Sequence, residues 1–160
     1  MRWYRIVLDA LDNDDLAPLA DAVMWFEGEL IKAREEVKLR GRVQQQSQEL
    51  PGLVETRFAQ YQEVEAIKKL LDIRMSKVKN AAFKKYFEGY ARQLSSRDAE
   101  KYADAEQEVQ DMAVLINQFD LLASYYQGII KAFDIKHWQI NGLIKLKTAG
   151  MEDYDLNFGG

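Results

Sequence analysis

The sequence predicts an all-α fold, with long helices forming a helical hairpin or coiled-coil-like bundle, a short C-terminal helix and an acidic tail. Three observations predict it. Prolines are limited to Pro18 and Pro51, and the good helix formers Ala, Leu, Glu, Lys and Gln are plentiful. Apolar residues recur at helical steps rather than in the alternation of half-buried strands. A chain of 160 residues with 48% hydrophobic content can build one cored domain. We expect that domain over residues 1–150, followed by a disordered tail over 151–160.

The apolar stretch Trp3 to Leu8 is interrupted by Arg5 and followed by Asp9, Asp12, Asp14 and Asp15, which argues against a signal peptide. A first helix is expected to begin near Asp14 or Asp15, either of which can cap free amides. Pro18 is tolerated in its first turn, and the helix runs to about Arg40. Leu19, Val23, Phe26, Leu30 and Val37 mark its buried side. Gly41 to Gly52 is Gln-rich and ends in Leu50-Pro51-Gly52, so it reads as a connector.

A second helix is expected from about Leu53 to Glu88, on the stripe Phe58, Tyr61, Val64, Ile67, Leu71, Met75, Val78, Ala82 and Tyr86, with Gly89 able to end it. Ser95 and Asp98 resemble a capping box and start a third helix. Its stripe, Tyr102, Ala105, Val109, Met112, Ile116, Phe119, Ala123, Tyr126, Ile130 and Phe133, alternates steps of three and four, as a helix facing another helix does. Asp134 is expected to cap a short last helix, apolar through Ile135, Trp138, Leu143, Ile144 and Leu146, before Gly150 opens the tail.

Composition narrows the chemistry. Cysteine is absent, which excludes disulfides and thiolate sites and points to a reducing compartment such as the cytoplasm. No uncharged apolar run approaches the roughly 18 residues of a membrane span, so a soluble protein without a membrane partner is expected. His137 is the sole histidine. Asp134 lies three residues before it, but a di-metal bundle site needs Glu-x-x-His twice. His137 therefore reads as a packed or capping residue beside Trp138, and no metal or cofactor is expected. Phosphate-loop, nucleophile-elbow and dinucleotide motifs are missing, and no catalytic residue is assigned.

The net charge of −4 hides an uneven distribution. Lys68, Lys69, Arg74, Lys77, Lys79, Lys84, Lys85 and Arg92 are opposed over the same stretch only by Asp72 and Glu88, with Tyr86, Phe87 and Tyr90 among them. Cations beside stackable rings suit single-stranded nucleic acid; a solvated helix face with its aromatics in the core is the plain alternative. The third helix opens acidic, with Asp98, Glu100, Asp104, Glu106, Glu108 and Asp111 against Arg97 and Lys101. The two helices can therefore pair, within a subunit or between subunits, in competition with a nucleic-acid role. In the tail, Glu152, Asp153 and Asp155 alternate with Tyr154, Leu156 and Phe158, the pattern of a solubilising end or of a docking peptide.

The run Phe133-Asp134-Ile135-Lys136-His137-Trp138-Gln139, preceded by Tyr125-Tyr126, resembles the UvsY-type recombination mediators of tailed phages. Lys77-Val78, Tyr86-Phe87-Glu88-Gly89 and Asp98-x-x-Lys101-Tyr102 extend the likeness, and Ala22-Val23-Met24 adds a weaker match. Most of the chain is covered, with Arg42 to Phe58 looking like an insertion. The resemblance implies a non-catalytic mediator, working in the host cytoplasm as a ring-like homo-oligomer, a hexamer or heptamer. Such a mediator binds single-stranded DNA, contacts a single-strand-binding protein and loads a recombinase. The family's DNA-binding basic pair falls here on Ala81 and Phe83, a departure. The role is therefore carried over to the region, as Lys77, Lys79, Lys84, Lys85, Tyr86 and Arg92. Oligomerisation is expected through Phe119, Tyr126, Ile130, Phe133, Trp138 and Leu143. The rival reading is a structural or assembly protein whose charged helices serve subunit packing alone.

Overall fold

A computed structural model describes residues 1–90 and 93–150. They form α1 (Arg2–Asp12), α2 (Ala17–Glu36), α3 (Val43–Gly89), α4 (Ser96–Asp104) and α5 (Gln107–Thr148), with no strand among the described residues. The all-α expectation is correct, while several boundaries differ. No helix of the described residues is long and apolar enough to cross a membrane. The chain forms two compact units, one from residues 1–23 and 63–121, the other from 24–62 and 122 onward.

In the first unit, α1 is an element that the sequence reading left without structure. Trp3, Val7, Ala10 and Leu11 are buried at helical spacing. No side chain caps its N-terminus. Instead the Tyr4 amide donates to the buried carboxylate of Glu63 at 3.0 Å, so a distant residue satisfies a first-turn amide. After α1, Asp14 adopts a left-handed conformation with φ +55° and pairs with Arg74, so it does not cap α2. Asp15 does engage the start of α2, its Oδ1 accepting from the Ala17 amide at 3.0 Å. Leu19, Ala22, Val64, Ile67, Leu71, Met112 and Phe119 fill this core.

The expected single third helix is broken at Ala105–Glu106. Ser95 caps α4 as expected, accepting from the Asp98 amide at 3.2 Å. Ala99 and Ala103 are the buried residues of α4, whereas the buried seam of α5 begins at Val109 and Met112. At about 100° per residue, Ala103 and Val109 would point some 120° apart on one straight helix, wider than a narrow seam, and the break lets each pack inward on its own helix. Tyr102 and Ala105, expected in the seam, are exposed as a result.

In the second unit, α2 ends at Glu36, short of the expected Arg40. Lys136 Nζ donates to the Glu36 carbonyl at 2.6 Å, satisfying one of the free carbonyls that a helix end leaves. Gly41, at φ +78°, then turns the chain. The expected connector is instead the first part of α3, with Pro51 inside the helix. An interior proline costs about 3 kcal/mol. Burial of Leu50, worth about 1.5–3 kcal/mol, offsets most of it, and Gln45 adds a hydrogen bond to Glu49 at 2.8 Å. The expected last helix is likewise absent as a separate element. Phe133, Lys136 and Ile140 continue the buried seam of Tyr126 and Ile129, so α5 runs through Asp134 without interruption.

The seam of α3 also carries polar residues. Arg57 and Gln60 occupy the positions that lead by steps of three and four to Val64, Ile67 and Leu71, and both are buried. Arg57 donates to both oxygens of Glu36, to Glu29 Oε2 at 2.7 Å and to Gln60 Oε1 at 2.9 Å. Gln60 in turn donates to Glu29 and accepts from the Tyr126 hydroxyl at 3.1 Å. Burial pushes the Glu29 carboxyl up, but hydrogen bonds from Lys32, Gln60 and Arg57 outweigh it and hold the group at about 2.

The cores of the two units correct half of the oligomerisation assignment. Phe119, Tyr126 and Phe133 are buried inside the fold of one chain, so their surface is not available to a second copy. Ile130 and Leu143 are half-buried, and Trp138 is 71% exposed. Apolar residues of α5 are exposed in this unit at Tyr125, Ile135 and Trp138, as are Met24 and Ile31 of α2. The guanidinium of Arg34 from α2 lies over the Tyr125 ring at 5.7 Å.

Candidate nucleic-acid interface

The basic stretch lies on the C-terminal half of α3, inside the first unit. Lys77, Asn80, Lys84 and Phe87 follow one another at steps of three, four and three, and all four are exposed on one face. The core residues Leu71 and Val78 lie on another. Lys69, Lys77 and Lys84 have no ion-pair partner among the described residues. The four other basic residues from Lys68 to Lys85 do. Lys68 pairs with Asp120 at 2.7 Å and with Glu65, Arg74 with Asp14 and Glu108, Lys79 with Asp104 at 2.9 Å, and Lys85 with Glu106 at 2.7 Å. The acidic helix segments thus neutralise part of the basic one within a single chain. Of the residues assigned to DNA, Lys77 and Lys84 are open, Lys79 and Lys85 are paired, and Arg92 lies outside the described residues, as does the acidic tail.

Aromatic rings cluster at the end of the same helix. Tyr86 stacks on Tyr102 of α4 with centroids 5.4 Å apart and planes 24° apart. Tyr90 lies 6.2 Å from each of them. Tyr90 and Tyr102 are about half exposed, at 51% and 47%. Phe83 stacks on Phe87 at 5.3 Å, between this group and the open lysines on the helix surface. Ala81, exposed and uncharged, and Phe83, half-buried, supply no charge to this surface. Tyr102 was missed by sequence reasoning because it fits the apolar repeat of the third helix. The break after α4, which turns it outward, is signalled only by the clash of phase between Ala103 and Val109.

Glu106 joins the two halves of this cluster. Its Oε1 accepts from Lys85 Nζ at 2.7 Å and from the Tyr86 hydroxyl at 2.5 Å. Lys85 Nζ also lies 5.2 Å from the centre of the Tyr86 ring. The hydrogen bond from Lys85, followed by that from Tyr86, holds the Glu106 carboxyl below its usual range. The same contacts raise the Lys85 ammonium and the Tyr86 phenol above theirs.

His137, expected to be packed or to cap a helix, is an exposed mid-helix residue of α5. Its Nε2 lies 3.0 Å from Asn141 Nδ2, and its ring meets Trp138 edge-on. No group of three or more histidine or acidic residues placed to hold a metal ion occurs among the described residues. Comparison of the chain with protein-family models, with curated proteins and with solved structures returns no match.

Proposed function

We propose that this protein binds single-stranded DNA without catalysis and acts as a recombination mediator, helping to load a recombinase onto DNA coated by a single-strand-binding protein. One observation carries the reading: Lys77 and Lys84 stand exposed on one face of α3, with no ion-pair partner among the described residues, beside exposed rings at Phe87, Tyr90 and Tyr102. Cations supply phosphate affinity and rings supply sequence-tolerant stacking, the two components of single-strand binding. The recombinase, the single-strand-binding protein and the ring-like homo-oligomer, a hexamer or heptamer, rest on the sequence resemblance. The exposed apolar residues Ile135 and Trp138, which lie on one side of α5, support self-association. In such an assembly weak contacts repeated on every subunit would add by avidity.

The test is a salt titration of oligo-dT binding. The affinity should fall steeply, with log K against log salt sloping by about −0.7 for each phosphate neutralised. A second reading, an assembly protein whose charged helices serve packing alone, is favoured by the ion pairs of Lys68, Arg74, Lys79 and Lys85. It predicts no oligonucleotide binding even in dilute buffer. Mass measurement with and without oligonucleotide gives the subunit number under either reading.

A further inference from the structure

The contact of Glu106 with Lys85 and Tyr86 has the form of an occupied anion site. Two donors, an ammonium at 2.7 Å and a phenol at 2.5 Å, converge on one carboxylate oxygen. A phosphate oxygen asks for the same charge-assisted donors at the same distances. Lys85 is 65% exposed at its side chain, so a strand can reach it, and the Tyr90 and Tyr102 rings beside it are half open to a base. Glu106 itself sits in the break between α4 and α5, its carbonyl accepting from the Gln110 amide at 3.1 Å at the start of α5.

We propose that Lys85 Nζ and the Tyr86 hydroxyl form a phosphate subsite for the backbone of single-stranded DNA, filled in the free protein by Glu106, which a strand phosphate displaces. This rests on the single-strand-binding reading above. Exposed ion pairs are weak and screened by salt. A strand already held at Lys77 and Lys84 presents its next phosphates at high effective concentration, so it can win the exchange. Glu106 then returns to water, and the base next to the captured phosphate extends the Tyr90–Tyr102 stack. In effect the protein carries its own competitor, which lowers its affinity for short or poorly anchored strands more than for long ones.

The test uses the full chain and a labelled oligo-dT, with anisotropy read at several salt concentrations for wild type, Glu106→Gln, Lys85→Gln and the double variant. Glu106→Gln should bind about 2- to 5-fold tighter at low salt, the scale of one exposed ion pair, and steepen the salt slope by about 0.7. Lys85→Gln alone should change affinity less than about 2-fold and should abolish the gain when combined with Glu106→Gln, a coupling that a purely structural role would not give. If Glu106→Gln folds poorly by circular dichroism, Glu106→Ala carries the same expectation. Binding by the wild type with no gain in either Glu106 variant, or a gain that survives Lys85→Gln, overturns the subsite and leaves the DNA-binding reading standing. Absence of binding by wild type and Glu106 variants alike overturns both.

Discussion

Arg57 grips Glu36 along the full edge of its guanidinium, Nε donating to Oε2 at 2.8 Å and Nη2 to Oε1 at 2.6 Å, from a seam position of α3 where the apolar repeat calls for a leucine. The side chain is buried, and Glu29 and Gln60 accept from its Nη1. Removing one partner of such a cluster strands the others away from full hydration. Arg57→Ala should therefore cost about 3 kcal/mol, a drop in Tm of roughly 6–12 °C for a chain of this size. Arg57→Lys should recover little, since an ammonium cannot make the paired bonds. Thermal and urea unfolding followed by circular dichroism would check this, and a loss below about 1 kcal/mol would count against the cluster as an anchor.

The same cluster sets an acid limit. Glu29 is held at about 2 in the fold against an ordinary value of 4.5. A depressed carboxyl contributes stability that is present above the unfolded value and is lost as pH falls through the folded one. Stability should thus decline between about pH 5 and pH 2, and Glu29→Gln should flatten that decline while lowering stability at pH 7. Urea midpoints at a series of pH values would reveal it; parallel pH profiles for the two proteins would refute the assignment.

Pro51 offers a direct test of helix continuity in α3. It is exposed, removes one main-chain hydrogen bond and sits well inside the helix. Pro51→Ala should stabilise by about 1–3 kcal/mol. If residues 43–52 formed a connector, the same change would be neutral or harmful, because it would loosen the unfolded chain without repairing a helix.

Tyr102 and Phe119 separate surface from core within one predicted stripe. Tyr102→Ala should weaken oligo-dT binding by about 1–3 kcal/mol, or roughly 5- to 150-fold, while leaving the melting temperature nearly unchanged. Phe119→Ala should destabilise by about 3–5 kcal/mol at any protein concentration, as a core deletion does. A strongly concentration-dependent effect of Phe119→Ala would instead place that ring at a subunit contact.

Much of the fold was legible because apolar periodicity reports burial directly. Val64, Ile67 and Leu71 in α3, and Met112, Phe119 and Tyr126 in α5, are buried as their spacing requires. What was hidden depended on partners distant in sequence. The Tyr4 amide finds its acceptor 59 residues away, and α1 has no local cap to announce it. Burial of Leu50 offsets most of the cost of a proline that local rules treat as a stop. Arg57 and Gln60 escape any search for apolar residues, although they keep its rhythm. At the candidate site, Lys77 and Lys84 could be picked from charge alone, but the neutralisation of Lys79 and Lys85 by Asp104 and Glu106 required the packing of α4 and α5 against α3.

The interval between Lys77 and Lys84 is two turns of rigid helix, about 10.5 Å along the axis. Teeth set at a fixed pitch on an unbending comb measure the length of a polyanion and ignore its lettering. Pyrimidine and mixed oligonucleotides of equal length should compete for it on nearly even terms, and any preference between them would have to come from the tyrosines.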